Sequence, residues 1–197
     1  LLNAKALGDN GFGTWDAVAK GIVAATDAGA KVINMILGGY SASSTVEAAV
    51  NYAWDKEAVL VAAAGNDNTT DMSYPAAYEN VIAVGATDNN DQKASFSNYG
   101  DWVDIGAPGV GILSTAPDHS NRLWGRGVKY AYGSGTSMAM PFVAGVVGLV
   151  WATGACTAND CVRSAVESNV DTPSGLNGWW PGGGRLNACK AVGGTCP

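Results

Sequence analysis

The sequence predicts an α/β fold with a mostly parallel sheet between helices. Two observations lead there. Short apolar runs, several closed by glycine, alternate along the chain with longer segments of helical length. Hydrophobic residues make up 47% of the 197 residues and charged residues only 14%, so one domain can bury a core.

The elements follow in order. Residues 3–7 read as a short strand. Residues 14–28 read as a helix, with Thr14 as N-cap and Gly29 as its stop. Residues 31–37 form an apolar run closed by Gly38-Gly39, a buried strand. Residues 44–56 are a second helix. Residues 60–64 are another buried strand, ended by Gly65-Asn66. Residues 80–87 and 102–105 add further strands. Residues 112–115 and 128–132 can pair as a hairpin across a long loop. A long helix follows from about 136 to 152, with Pro141 in its first turns, where proline is best tolerated. Thr157 is expected to cap a last helix over residues 158–168.

Composition excludes some classes of function. The formal net charge is −6 and no run of like charge occurs, which argues against a nucleic-acid partner. The longest strongly apolar stretch, residues 142–152, is too short to span a bilayer and contains two glycines, so no membrane role is expected. No leader pattern is visible, and Leu1 in place of Met reads as a processed or cloned start. The four cysteines allow three pairings. Their short spacings favour Cys156–Cys161 and Cys189–Cys196. A zinc site is the rival, without a Cys-x-x-Cys pair or a nearby histidine to support it. Disulfides would imply an oxidising, extracellular setting.

Sites on open parallel sheets gather at the carboxyl ends of the strands. Three glycine-rich strand ends are candidates here: Leu37-Gly38-Gly39, Gly65-Asn66 and Gly133-Ser134-Gly135-Thr136-Ser137. Ser137 stands where a turn gives way to a helix. The unpaired N–H groups there carry partial positive charge and favour an anion forming beside the serine. Serine at a helix start is more often only an N-cap. The Asn66 amide can donate to an oxyanion, but asparagine after glycine is also an ordinary turn residue. On these residues alone both readings stay open.

The full strings say more. Gly135-Thr136-Ser137-Met138-Ala139-Met140-Pro141-Phe142-Val143-Ala144-Gly145 strongly resembles the nucleophile motif of the subtilase family. Val61-Ala62-Ala63-Ala64-Gly65-Asn66 resembles that family's oxyanion segment, and Val32-Ile33-Asn34-Met35-Ile36-Leu37-Gly38-Gly39 its substrate-binding strand. Tyr74-Pro75-Ala76-Ala77, Val81-Ile82-Ala83-Val84-Gly85-Ala86 and Ala107-Pro108-Gly109 match in the same order. Ser95-Phe96-Ser97-Asn98-Tyr99-Gly100 resembles the proteinase K-like branch. The resemblance covers about residues 1–190.

It implies a role for each matching position. Ser137 is the nucleophile that forms an acyl-enzyme, and Asn66 the side-chain oxyanion donor. Leu37 and Gly38 pair with an extended polypeptide substrate as an added strand. Ala63, Ala64 and Gly65 form the opposite wall of the side-chain pocket. The carbonyls of Glu79 and Val81, with the Asp104 carboxylate, match a structural calcium site; the chemistry itself requires no cofactor. An Asp at a strand end is also commonly a plain surface acid.

The family's catalytic order is Asp, His, Ser. No His-Gly-Thr-His string occurs, and the single histidine is His119, beside Asp118. Residues 1–197 thus resemble the C-terminal two-thirds of a catalytic domain, and the sheet is expected to be incomplete on its N-terminal side. A separate N-terminal fragment or a second copy of the chain would complete it. His119 is either a substitute base or an exposed loop histidine. Ile36, Met140 and Phe142 depart from the family's usual residues, Ile36 beside the substrate. Three functions remain open: a secreted subtilisin-type serine endopeptidase completed by the missing segment, a stand-alone esterase acting on small activated esters, and an inactive peptide-binding remnant.

Overall fold

A computed structural model describes residues 1–121, 125 and 127–196. Thr14 is extended, and its hydroxyl accepts a hydrogen bond from the Ala17 N–H, so helix α1 (Trp15–Asp27) begins capped. Gly29, at φ 85°, stops it. Helix α2 (Ser44–Asp55) is capped the same way by Ser43, whose hydroxyl accepts from the Val46 N–H.

Four strands, β1 (Val32–Met35), β2 (Val59–Ala63), β3 (Val81–Thr87) and β4 (Ile105–Pro108), lie in that order and all pair in parallel. Their residues alternate between two cores. Val59, Val61 and Ala63 of β2, with Ile82, Val84 and Ala86 of β3, face one core. Leu60, Ala62, Val81 and Ala83 face the other. A sheet covered on both faces needs apolar residues at successive positions, which is why these strands read as unbroken apolar runs. Helices α1 and α2 cover the second core. The first is covered by α3 (Thr136–Thr153), α4 (Asn159–Ser168) and α5 (Ala188–Ala191). Helix α3 is long and apolar enough to cross a membrane by composition, but Ala139, Met140, Val143, Val146, Val147 and Val150 are buried in this core.

The expected antiparallel hairpin forms between β5 (Ile112–Thr115) and β6 (Tyr130–Gly133), its second strand starting two residues later than 128, and it stands apart from the four-stranded sheet. Both expected disulfides, Cys156–Cys161 and Cys189–Cys196, are formed, which leaves no thiol for zinc. The segment after α4 returns across the sheet. Trp180 lies so close to Gly85 and Gly106 that an added Cβ would approach its ring to 3.0 and 2.3 Å, which requires glycine at 106 and leaves little room for any side chain at 85.

Four expectations are corrected. Residues 3–7 form no strand; they lie along a cavity of about 670 Å³ beside α1 and β1, with no ladder partner. The fourth strand starts at Ile105, not 102, because the turn Gly100–Val103 uses the preceding residues and the register with β3 begins at Val84 and Ile105. Thr157 does not cap α4; Ala158 holds the cap position without a side-chain bond, and the Asn159 N–H donates to the Glu57 carboxylate instead. That helix is not the last, since α5 follows, capped by Asn187.

Candidate active site

Ser137 is the second residue of α3. The cap position belongs to Gly135, whose φ of 152° suits glycine and which offers no side chain. Ser137 is therefore not an N-cap, and the plain structural reading of this serine fails. The Gly135 N–H is held by the Gly109 carbonyl at 2.8 Å, which anchors the turn to the end of β4. As an early helix residue, Ser137 has an N–H that the helix cannot satisfy. Pro141, four residues on, supplies no N–H to the Ser137 carbonyl either.

Asn66 meets this turn from β2. Its Oδ1 accepts from the Thr136 N–H at 2.8 Å and from the Thr136 hydroxyl at 3.1 Å. A backbone N–H only donates, so the atom facing it must be the amide oxygen. That fixes the amide's orientation and leaves Nδ2, for which no described residue is an acceptor, as a donor toward the cleft. The Thr136 hydroxyl also accepts from the Gly65 N–H at 3.1 Å. One buried threonine thus ties the loop after β2 to the start of α3.

Asn98 holds the same loop from behind. Its amide donates to the Ala64 carbonyl at 2.9 Å, and its oxygen accepts from the Asp67 N–H at 2.9 Å. Gly65 sits at φ 108°, and a Cβ there would stand 2.4 Å from the Asn98 amide nitrogen. Neither Thr136 nor Asn98 was singled out from sequence, although each lies inside a quoted motif. Their importance is in long-range contacts that a motif string does not display.

Beyond β1, Gly39 and Tyr74 exchange hydrogen bonds at 2.9 and 2.8 Å. A Cβ on Gly38 would lie 2.8 Å from the Ser73 hydroxyl, so the backbone runs close to its support there. Leu37, Gly38, Gly39, Tyr40, Ala63, Gly65, Asn66, Asp67, Ser73, Thr136 and Ser137 enclose one cleft of about 300 Å³. Of the residues expected at the site, the fold brings Leu37, Gly38, Ala63, Gly65, Asn66 and Ser137 together. Ala64 is fully buried behind the cleft, and its carbonyl is spent on Asn98. Tyr40 donates to the Asp67 carboxylate at the cleft's edge; burial, then this bond, raises its hydroxyl pKa. Ile36 is half exposed, Met140 is fully buried and Phe142 is partly exposed. The larger cavity beside residues 1–7 includes neither Ser137 nor Asn66.

His119 does not join them. Its side chain is 77% exposed, with Asp118 3.8 Å away, and it is not part of the cleft. The three groups matched to calcium lie elsewhere, at the starts of β3 and β4. There the Arg163 guanidinium donates to the Glu79 carbonyl and, at 3.4 Å, to the Asp104 carboxylate. Burial raises the Asp104 pKa, opposed by the Ala83 N–H and by Arg163. With a guanidinium already on two of the three groups, the residues present do not fit a calcium ion as they stand.

Known proteins share this arrangement of elements. A family model described as the subtilase family matches residues 1–179. Thermitase from Thermoactinomyces vulgaris is 50% identical over 192 residues, covering 98% of this chain and 64% of thermitase. Subtilisin BL from Lederbergia lenta is 40% identical over the same length and is covered to 67%. Among solved structures, a protease from Pseudoalteromonas arctica superposes with a TM-score of 0.80 at 32% identity, covering 92% of this chain and 59% of that one. The chain thus spans less than two thirds of thermitase and of the Pseudoalteromonas protease and about two thirds of subtilisin BL, and with the family's match running from Leu1 through the cleft and past Ser137 it belongs to the subtilase family.

Proposed function

We propose that this chain carries the nucleophile and oxyanion half of a secreted serine endopeptidase that cleaves extended polypeptides. The observation that carries this reading is the fixed Asn66 amide, whose oxygen is held by Thr136 so that its NH₂ is presented beside the serine-bearing helix start. An oriented donor needs no reorganisation when charge develops on a substrate oxygen. The two disulfides support an extracellular setting.

Substrate backbone pairs with Leu37-Gly38 as an added strand and brings its scissile carbonyl to the cleft. The Ser137 oxygen attacks the carbonyl carbon, and the carbonyl electrons move onto oxygen, facing the Asn66 amide. The serine proton passes to a histidine, which returns it to the leaving amine. Water then hydrolyses the acyl-enzyme by the same route. Family chemistry needs no cofactor, and no step here involves a metal.

The histidine and its orienting aspartate come, in this proposal, from polypeptide outside the 197 residues, adding next to β1. Two facts support this. β1 is at the sheet edge, paired on one side only by β2, and roughly a third of thermitase's own length lies outside the match, which covers 64% of it. In subtilisin itself, removal of a triad member leaves about 10³–10⁴-fold catalysis over water, so the lone chain is expected to be nearly inactive.

The test is fluorophosphonate labelling and peptide-anilide hydrolysis by the protein isolated from its source, with intact-mass analysis of every polypeptide present. Labelling at Ser137 together with a second segment, both activities lost in Ser137→Ala, is the expected result. Hydrolysis that survives Ser137→Ala would overturn the proposal. Full activity from a preparation whose only mass is this chain would overturn the origin of the base.

A further inference from the structure

We propose that Arg163 is this protein's built-in cation at the point where the sequence resemblance implies calcium, and that its guanidinium competes with a divalent ion for the same oxygens. The inference rests on the fold alone and not on the catalytic reading.

The guanidinium is used on all three sides. Nη1 donates to the Glu79 carbonyl, Nη2 to Asp104 Oδ1 at 3.4 Å, and Nε to Glu167 Oε1 at 2.8 Å. Glu79 precedes β3 and Asp104 precedes β4, so one side chain from α4 fastens the starts of two neighbouring strands. Arg163 and Glu167 are four residues apart and share a helix face, while Val162 and Val166 face the core and are fully buried. The side chains of Arg163, Asp104 and Glu167 are only 20%, 27% and 27% exposed, so this is not a solvated surface pair.

The acceptor geometry suits a guanidinium better than a metal. Asp104 Oδ2 accepts from the Ala83 N–H at 2.7 Å, and the Asp104 N–H donates back to the Ala83 carbonyl at 3.0 Å. The carboxylate is thereby turned so that Oδ1 faces Arg163. Calcium takes about six to eight oxygens at roughly 2.3–2.6 Å. With Oδ2 committed to an amide, and Oδ1 and the Glu79 carbonyl facing a fixed positive charge, an ion would have to displace that charge first.

Two carboxylates surround one guanidinium, leaving one negative charge uncompensated. Without Arg163, the Asp104 and Glu167 carboxylates and the Glu79 carbonyl would remain around one vacated position. Carboxylate and carbonyl oxygens are the donors a hard divalent cation prefers. A covalently attached cation also makes this part of the fold independent of ambient calcium, because no free ligand enters the equilibrium.

The experiment measures thermal unfolding and calorimetric binding of the whole protein, with calcium or chelator, for the wild type, Asp104→Asn, Arg163→Ala and the double variant. The calcium response of the wild type is expected to persist unchanged in Asp104→Asn. Arg163→Ala should melt lower in chelator by about 5 °C or more. Added calcium should restore part of that loss saturably, and the double variant should not recover. A wild-type calcium response diminished by Asp104→Asn would overturn the proposal, since the ion would then bind despite Arg163. So would an Arg163→Ala protein no more responsive to calcium than the wild type. If Arg163→Ala does not fold, Arg163→Met, which keeps much of the aliphatic stem, takes its place; the comparison of wild type with Asp104→Asn needs neither.

Discussion

At the scale of single residues, the site depends on groups that do no chemistry. Thr136 is fully buried, and its hydroxyl joins Gly65 to Asn66. Thr136→Val keeps the shape and removes both of these bonds while sparing the backbone one. At about 1 kcal/mol for a bond, turnover is expected to fall roughly tenfold, with KM little changed. Steady-state kinetics on a peptide anilide, with the enzyme complete in its histidine-bearing segment, checks this, and an unchanged kcat would show that the backbone bond orients Asn66 without help. Asn66→Ala should cost more; about 10²–10³ in kcat is the figure known for subtilisin itself, not one obtained from this structure. Gly65→Ala sets a Cβ 2.4 Å from the Asn98 amide at φ 108°. A loss of about 2 kcal/mol or more in unfolding free energy is expected from the clash and the strained backbone, measured by urea titration.

At the scale of elements, the sheet is stabilised by strands that face two cores at once. Leu60 is fully buried on the α1–α2 side and Val61 on the α3 side, so neighbouring residues of one strand serve different layers. Leu60→Ala is expected to destabilise by about 2–5 kcal/mol, read from the midpoint of denaturant unfolding. A cost under 1 kcal/mol would mean that the second core repacks freely. Helix α3 has the converse arrangement. It meets the sheet through valine, alanine and methionine, while its first turn is shaped by Gly135, which contributes no side chain. The element that fills the core therefore also places Ser137 at the cleft, and that placement is as rigid as the packing behind it.

At the scale of the molecule, the segment after α4 is fastened by its buried Leu176 and Trp180 and by a cluster of charges. Asp171 accepts from Lys190, Arg185 and Asn187. Lys190, then Arg185, hold its carboxyl at about 2, against 3.8 for an ordinary aspartate. A depressed carboxylate stabilises the fold fully above its unfolded pKa, and that contribution disappears as pH falls through the folded one. Melting temperature should therefore decline between about pH 4 and pH 2, and Asp171→Asn should flatten that part of the profile. An identical profile in the variant would assign the acid sensitivity to other carboxylates. At the opposite margin of the sheet, β1 is an edge strand paired only with β2.

Much of this was legible without coordinates. Period and punctuation identified α1, α2, β1, β2, β3 and the hairpin, because glycine stops, hydroxyl caps and apolar runs are local chemistry. Ordered motifs carried Ser137 and Asn66, and short spacing carried both disulfides. What sequence could not supply was long-range. Residues 3–7 have the composition of a strand but find no partner, and a strand without a ladder is not a strand. Arg163 and Asp104 are 59 positions apart, and Thr136 and Asn66 are 70. Local pattern was enough for the layered α/β class and for the motifs that meet at the cleft. The cation on Asp104 and the residue that orients Asn66 emerge only once the chain is folded, because such contacts depend on how packed elements meet and leave no periodic trace in the chain.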